Sequence, residues 1–390
     1  MKRNVLIFID WYLPGNKAGG PVKSIVSLTD RLKDQFNFLI VTTDTDFGDD
    51  SPYPGIRSDQ WIRSDDSTRI YYFSKKKLSY KGLKQVISGL DYDVVYINSY
   101  FSKFFSIYPL LLKKTGKITK PVILAPRGML GSGALELKSA KKKGFILMSK
   151  LSGLHNSVIW QATSDQEHQE ISKIYGKNAV IKTVQNLSQA KPVAHSIKGK
   201  ISGELRLFFL SRISPKKNLS YSLRLLSKIP SEYKVIYDIF GPMEDPGYWE
   251  ECCTIINHLP PNIKVNYRGE IKADQVQERI RSYHFLLLCT LNENFGHAIV
   301  ESFLSGCPVI ISDQTPWKDL EAHHAGWDIS LEKEGEFLKV LTKAVLMDEK
   351  EYAGWSQDAI AFAVRNCIGE EVQLQTISLF SEACPIRLPG

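Results

Sequence analysis

The chain is poor in the features that mark several large protein classes. Its 390 residues contain six cysteines, and no two of them form a C-x-x-C pair. Cys252 and Cys253 are adjacent, while Cys289, Cys307, Cys367 and Cys384 are scattered. That spacing supports neither a zinc site nor a disulfide framework, and suits reduced core cysteines in a cytosolic protein. No apolar run approaches the ~18 residues of a membrane span. The N-terminus begins Met1-Lys2-Arg3 and turns apolar, as a signal peptide does. Asp10 breaks that run short of the ~7–15 residues a signal core needs, so a first β-strand is expected there. A G-x-G-x-x-G fingerprint is missing, which argues against dinucleotide binding of the usual Rossmann kind. No internal repeat of ~20–50 residues stands out.

What is present is ordinary in amount and informative in order. Hydrophobic residues make up 43% and charged residues 24%, enough for a buried core. The formal net charge of +8 attracts polyanions, whether nucleic acid, anionic lipid or a phosphorylated substrate. Short apolar runs alternate with amphipathic segments. Val5–Ile9, Phe38–Val41, Val94–Ile97, Val122–Ala125, Val158–Gln161 and Val180–Val184 read as strands, with helices such as Val22–Leu32 and Asp165–Tyr175 between them. Continuous apolar runs of this kind imply parallel strands covered on both faces.

The alternation stops over Gln185–Glu204, which reads as a linker. It resumes with Leu205–Leu210, Lys234–Phe240, Ile263–Tyr267, Phe285–Cys289 and Pro308–Ile311. The fold class is therefore α/β: two Rossmann-like, doubly wound parallel-sheet domains facing a central cleft. The expected boundaries are 1–188 and 204–369, with a C-terminal helix near 370–390 packing back on the first domain.

The segment Glu293–Ser312 (ENFGHAIVESFLSGCPVIIS) carries the strongest chemical signal. A buried strand precedes it, Gly296 opens a helix, Gly306 stops that helix, and PVIIS is the next strand. Such a loop lies at the carboxyl edge of the sheet, where open α/β sheets bind ligands. The helix N-terminus offers free N–H groups and a positive dipole end to a phosphate. Gly296 removes a side chain where backbone must approach closely. Glu301 stands eight residues after Glu293, roughly 10–12 Å along a helical rise. That is about the span from a hexose, past a diphosphate, to a ribose.

Two further elements fit the same chemistry. In Ser211–Asn218 (SRISPKKN), Arg212 and Lys217 follow a strand and open a helix. Two cations there neutralise a diphosphate leaving group without a metal. In Gly15–Ser24 (GNKAGGPVKS), Gly19 and Gly20 permit a tight turn between the first strand and first helix.

Together ENFGHAIVE, SRISPKKN and AGGPVKS resemble family 4 of the glycosyltransferases, and the resemblance spans nearly the whole chain. PRGML (Pro126–Leu130) and ATSDQEHQEI (Ala162–Ile171) look like its bacterial surface-polysaccharide members. The resemblance implies a GT-B fold and a retaining, metal-independent transfer of a hexose or N-acetylhexosamine from a nucleotide sugar, with UDP the expected carrier and no other cofactor. It implies that Glu293 binds the donor hexose and stabilises developing positive charge. Asn294, Phe295, Gly296 and His297 would line the donor, the Phe295 and Gly296 backbone N–H groups meeting sugar or phosphate. Glu301 would hold ribose, and Arg212 and Lys217 the diphosphate. Gly19 and Gly20 would approach from the other domain, and Gly269 would lie near the base, with Gly241 a weaker candidate. The implied acceptor is a glycan, with an undecaprenyl-diphosphate link the expected form, in O-antigen, capsule or exopolysaccharide assembly.

One departure concerns the first domain. Many relatives carry a cleft histidine after the fourth strand, where this chain has Arg127. Arginine is no base at neutral pH, but it binds an acceptor phosphate or carboxylate well. Asp44-Thr45-Asp46 and Asp91-Tyr92-Asp93 match D-x-D, the metal signature of a different glycosyltransferase fold, yet neither lies near the donor loop; no metal site is expected. The stretch Leu135–Leu154 mixes Lys138, Lys141, Lys142, Lys143 and Lys150 with large apolar residues. It reads either as a solvated helix face or as a surface resting on anionic lipid. A cytoplasmic enzyme, peripheral on the inner face of the membrane, is the resulting expectation. Nucleic acid is not an expected partner, since no recognition module occurs. The competing readings are a sugar-nucleotide epimerase or hydrolase on the same fold, and a non-catalytic scaffold of a glycan-assembly complex.

Overall fold

The apolar runs become strands because each is covered on both sides. The structure, a computed structural model, describes residues 2–136, 139–192 and 199–384. Lys138 of the basic stretch, residues 193–198 of the expected linker and residues 385–390 of the expected C-terminal helix lie outside them. The chain divides into two units, residues 1–189 with 370–390, and residues 190–369.

Among the described residues the first unit carries an eight-stranded sheet in the order β3-β4-β2-β1-β5-β6-β7-β8. The strands are β1 (Arg3–Phe8), β2 (Phe36–Thr43), β3 (Trp61–Arg63), β4 (Thr68–Phe73), β5 (Val94–Ile97), β6 (Val122–Leu124), β7 (Val158–Ala162) and β8 (Ile181–Thr183). All neighbours pair in parallel except β3 and β4. Successive residues of β1 point to opposite faces, and both faces are buried. Val5 and Ile7 join one core cluster, Leu6 and Phe8 the other. This is why the run shows no polar alternation. One face is covered by the helix Gly20–Leu32 through Ile25, Leu28 and Leu32, and by the helix Glu370–Ala383 through Val372, Leu379 and Phe380. The Phe380 ring meets Phe36 at 5.5 Å and Tyr96 at 5.3 Å between centroids.

The second unit carries a six-stranded sheet in the order β11-β10-β9-β12-β13-β14, parallel throughout. Its strands are β9 (Glu204–Leu210), β10 (Lys234–Phe240), β11 (Ile263–Gly269), β12 (Phe285–Leu288), β13 (Val309–Ser312) and β14 (Gly326–Ile329). One core cluster runs from Leu205 to Cys367 across the strands and helices of this unit.

Several elements depart from the sequence reading. The hairpin β3–β4 was not expected, because TRIYYF opens on polar Thr68 and Arg69 and its burial comes from pairing with β2. β14 was also missed. After β5 the chain forms a π-turn at Lys103–Ile107, followed by the helix Tyr108–Lys114. The basic stretch is two helices, Ser132–Glu136 and Ser139–Leu151.

Candidate functional site

In the second unit the strand order runs outward from β9 through β10 in one direction and from β12 through β13 in the other. The switch point between β9 and β12 is where an open parallel sheet leaves a ligand crevice at its carboxyl edge. The loops 211–218 and 289–296 leave the two strands there. They are laced together at the Lys216 carbonyl, which accepts the Leu291 amide at 2.9 Å and the Thr290 hydroxyl at 3.1 Å. The Lys217 ammonium donates to the Glu293 carboxylate at 2.5 Å. Their side chains are only 10% and 18% exposed, so the pair is largely desolvated.

Glu293 is held on both ends. Its amide donates to the Gln314 carbonyl at 2.8 Å, and its second carboxylate oxygen accepts the Asn294 amide at 3.1 Å. Burial pushes the Glu293 carboxyl up, but the Lys217 ion pair, the charge of Lys216 and the Asn294 amide together hold it below the usual range. It is an anion at neutral pH.

Gly296 adopts the left-handed conformation, φ 80° and ψ 63°, at the head of the helix His297–Leu304. A Cβ there would stand 2.8 Å from Ile299 Cδ1 and 3.2 Å from Glu293 Cγ. No side chain caps this helix, and the Ile299 amide donates to the Gly296 carbonyl at 2.8 Å. Phe295 is buried against Trp317, whose indole N–H donates to the Phe295 carbonyl at 2.6 Å. The Phe295 side chain is thus a core anchor, and only its backbone is offered to a ligand. The His297 ring lies 4.8 Å from the Phe295 ring. Glu301 is half-buried on the second turn of the helix.

Arg212 and Lys217 do share one loop, but each already has a carboxylate: Arg212 pairs with Glu244 at 2.7 Å. The expected helix does not open directly after this loop. A 3-10 turn, Pro215–Lys217, leads to left-handed Asn218, and the helix proper is Leu219–Leu226. Gly241 is explained by packing, since a Cβ on it would lie 1.9 Å from the Ser211 carbonyl oxygen. Gly269 ends β11 at φ 75° with open space beside it.

The first unit holds the remaining candidates. Gly19, at φ 70°, precedes the helix Gly20–Leu32, which has no side-chain cap. The turn before it is pinned by Asp46, whose carboxylate accepts the amides of Asn16 (2.9 Å), Lys17 (3.2 Å) and Phe47 (2.7 Å). Asp46 therefore serves the backbone, and Asp93 likewise accepts the Asn4 amide at 2.9 Å. Among the described residues no group of three or more His, Cys, Asp or Glu side chains is placed to hold a metal ion. Arg127 lies at the carboxyl edge of the first sheet, fixed by Asn98, Asn186 and Tyr96.

Sequence reasoning missed three residues. Gln314 and Trp317 brace the Glu293 loop from beyond β13. Asp10 sits just past β1, and burial pushes its carboxyl above the usual range against the 2.6 Å hydrogen bond from Ser102. The available signal for Asp10 was its position, an acid directly after an apolar strand at the ligand-binding edge.

Residues 190–361 match the family model described as glycosyl transferases group 1. An uncharacterized glycosyltransferase of Methanocaldococcus jannaschii is 25% identical over 109 residues, which is 28% of this chain and 27% of that protein. The match therefore spans about a quarter of that relative's length. The structure of Anabaena HepE in complex with UDP and glucose superposes with a TM-score of 0.74 at 14% identity, over 97% of this chain and 100% of that one. Sucrose-phosphate synthase from Thermosynechococcus elongatus gives 0.76 at 13% identity, over 98% and 99%. WaaG, a glycosyltransferase involved in lipopolysaccharide biosynthesis, gives 0.67 at 13%, over 97% and 99%. These likenesses establish the fold as GT-B.

Proposed function

We propose that this chain, a glycosyltransferase of GT-B fold whose second unit is a group 1 domain, moves a hexose or N-acetylhexosamine from a nucleotide sugar to a glycan acceptor with retention of anomeric configuration. The observation that carries the reading is the Lys217–Glu293 pair at the β9/β12 switch point, beside the Gly296 helix N-terminus. An ammonium has three N–H groups and Glu293 takes one, which leaves two for phosphate oxygens. The carboxylate keeps lone pairs for sugar hydroxyls. The pair is thus set in place before the donor arrives, and pre-set charges need no reorganisation as charge develops in the transition state. Arg212 adds a second cation for the diphosphate, and Glu301 accepts from the ribose hydroxyls. No metal or further cofactor is invoked, because the leaving diphosphate is met by these cations and the helix amides.

UDP as the carrier is supported by the Anabaena HepE structure, which is described with UDP and glucose. A lipid-linked acceptor in surface-glycan assembly, used at the cytoplasmic face of the membrane, is supported by the helix Ser139–Leu151. Leu147, Met148 and Leu151 on it are 59%, 69% and 80% exposed, with Lys141, Lys143 and Lys150 exposed around them. Exposed apolar residues ringed by lysines suit an anionic lipid surface. Among the described residues no helix is long and apolar enough to cross a membrane.

The test is Glu293→Gln assayed with a panel of UDP-sugars and lipid-linked glycan acceptors. The variant should keep its far-UV spectrum and its stabilisation by UDP while transfer falls by about 10²-fold or more. Wild-type transfer rates in the variant would overturn the assignment. Acceptor-free conversion of the donor to an epimer would favour the epimerase instead.

A further inference from the structure

The guanidinium of Arg127 is built into the first unit in an unusual way. It follows β6, next to β5, which carries Tyr96 and ends one residue before Asn98. Its Nε donates to Asn98 Oδ1 at 3.2 Å, and Nη2 donates to the same oxygen at 2.6 Å and to the Tyr96 hydroxyl at 2.7 Å. Nη1 donates to Asn186 Oδ1, and the guanidinium stands 5.8 Å from the Tyr96 ring centroid. Three neutral oxygens therefore hold it. Glu167 is the carboxylate of this cluster, and both its oxygens are taken. One accepts the Gly128 amide at 2.6 Å, the other the Thr163 amide and hydroxyl at 2.8 Å each.

A partly buried guanidinium stays charged at every working pH and ordinarily pairs with a carboxylate. Here its orientation is locked while no carboxylate is bonded to it among the described residues. Four of its five N–H groups are used by those contacts, and one remains. Asn98 adds a second donor. Its Oδ1 must face the guanidinium, and its buried Nδ2 has no hydrogen-bond partner. Arg127 also sits at φ 57°, a left-handed conformation that is unfavourable for a non-glycine residue. An unpaired cation, an orphan donor and a strained residue coincide at the carboxyl edge of a parallel sheet, where ligands bind.

We propose that Arg127 and Asn98 form a subsite for an oxyanion, a phosphate or a carboxylate, carried by the acceptor. The inference rests on the glycosyl-transfer reading above and narrows its acceptor to an acidic one. A phosphate would belong to a phosphorylated glycan or its lipid diphosphate, a carboxylate to a uronic acid residue.

The experiment is thermal unfolding of the full chain in saturating UDP, which occupies the diphosphate site of the second unit. Inorganic phosphate or glucuronate is titrated in at constant ionic strength set with chloride. Asn98→Asp keeps the side-chain shape and places a carboxylate against the guanidinium, neutralising the subsite. The wild type should show a saturable rise in Tm with phosphate, glucuronate or both, and Asn98→Asp should bind the same anion roughly ten-fold more weakly or worse, the scale of one lost charge-assisted contact. A response to phosphate alone assigns a phosphorylated acceptor, and a response to glucuronate alone a uronic acid. Equal responses in wild type and variant, or no response to either anion, would overturn the proposal. If Asn98→Asp does not fold, Arg127→Gln takes its place with the same expectation. The Tm rise on adding UDP alone is read first. Its absence counts against the donor reading, whereas its presence leaves only the oxyanion subsite at stake.

Discussion

Lys217 and Glu293 lie 76 positions apart in the sequence and 2.5 Å apart in the second unit, joined where the loops after β9 and β12 meet. Each is the reason the other can be buried. Removing one partner strands a charge in a largely desolvated site, at a cost of about 3 kcal/mol, whereas removing both leaves no stranded charge. Urea unfolding of Lys217→Met, Glu293→Gln and the double variant should therefore show strong non-additivity, with the double variant close to the milder single one. Additive losses would mean that the pair is not coupled. The pH dependence has a definite sign. Because the folded Glu293 carboxyl is held below its ordinary value, its contribution is complete above the ordinary glutamate pKa of about 4.3 and is lost as pH falls through the lower folded value. The wild type should lose its margin over Glu293→Gln only in that acidic window.

Gly296 turns the same loop into its helix in a left-handed conformation. Alanine there would combine an unfavourable φ of 80° with a Cβ 3.2 Å from Glu293 Cγ and 2.8 Å from Ile299. Ile299 is part of the core, so the strain is relieved by moving the loop, and Glu293 moves with it. Gly296→Ala should lower stability by about 1–2 kcal/mol and raise the KM for the nucleotide sugar several-fold, more than it lowers kcat. An unchanged KM would show that the loop does not read the donor.

How much of this was legible before the fold was known depends on where the burial comes from. Val94–Ile97, Lys234–Phe240 and Asp165–Tyr175 were legible to the residue, because their burial or capping is written in consecutive side chains. The strand Thr68–Phe73 was not, because its polar start is buried only by β2 alongside. The chemistry divides in the same way. Glu293, Gly296 and Glu301 form one contiguous string, and Lys217 stands out as a basic residue after a strand. The partners that set their geometry come from elsewhere: Gln314 and Trp317 for the loop, Glu244 for Arg212, and Asn98 and Asn186 for Arg127. Sequence spacing carries no mark of such pairings.

His155 predicts how the first unit responds to acid. It is buried within an aromatic cluster, stacked on Tyr100 at 5.1 Å and 13° between planes, with Trp160 at 5.4 Å and the Tyr175 hydroxyl 3.2 Å from its Nδ1. Burial pushes the imidazole down to about 4. An unfolded histidine takes up its proton near pH 6.5, so between that pH and about 4 only the unfolded chain is protonated. Stability must therefore fall as pH drops through this window, by up to about 3 kcal/mol. His155→Phe removes the titration while keeping a ring for the stack. Urea unfolding from pH 7.5 to pH 4 should be flatter for the variant, and parallel profiles would show that His155 does not titrate this way.

The helix Ser139–Leu151 makes the last prediction. Phe145 and Ile146 pack inward against the first unit's core, whereas Leu147, Met148 and Leu151 are exposed, Leu151 lying three and four residues beyond Met148 and Leu147 and so beside both on the helix. A solvated helix gains nothing from three exposed apolar side chains on one face, but a lipid surface buries them, at about 25 cal/mol per Å² removed from water. Lys141, Lys143 and Lys150 add attraction to an anionic surface of about 1 kcal/mol each, a term that salt screens. Sedimentation with vesicles of phosphatidylcholine and phosphatidylglycerol should capture the wild type and release it progressively as salt rises. Leu147→Gln with Leu151→Gln should weaken binding roughly ten-fold or more at fixed salt, because the apolar part of the affinity is removed while every charge is kept. Both leucines are exposed, so the double variant should unfold at the wild-type urea concentration, which separates lost docking from lost folding. If the variant binds vesicles as the wild type does, only charge holds the chain there and the apolar face has another role.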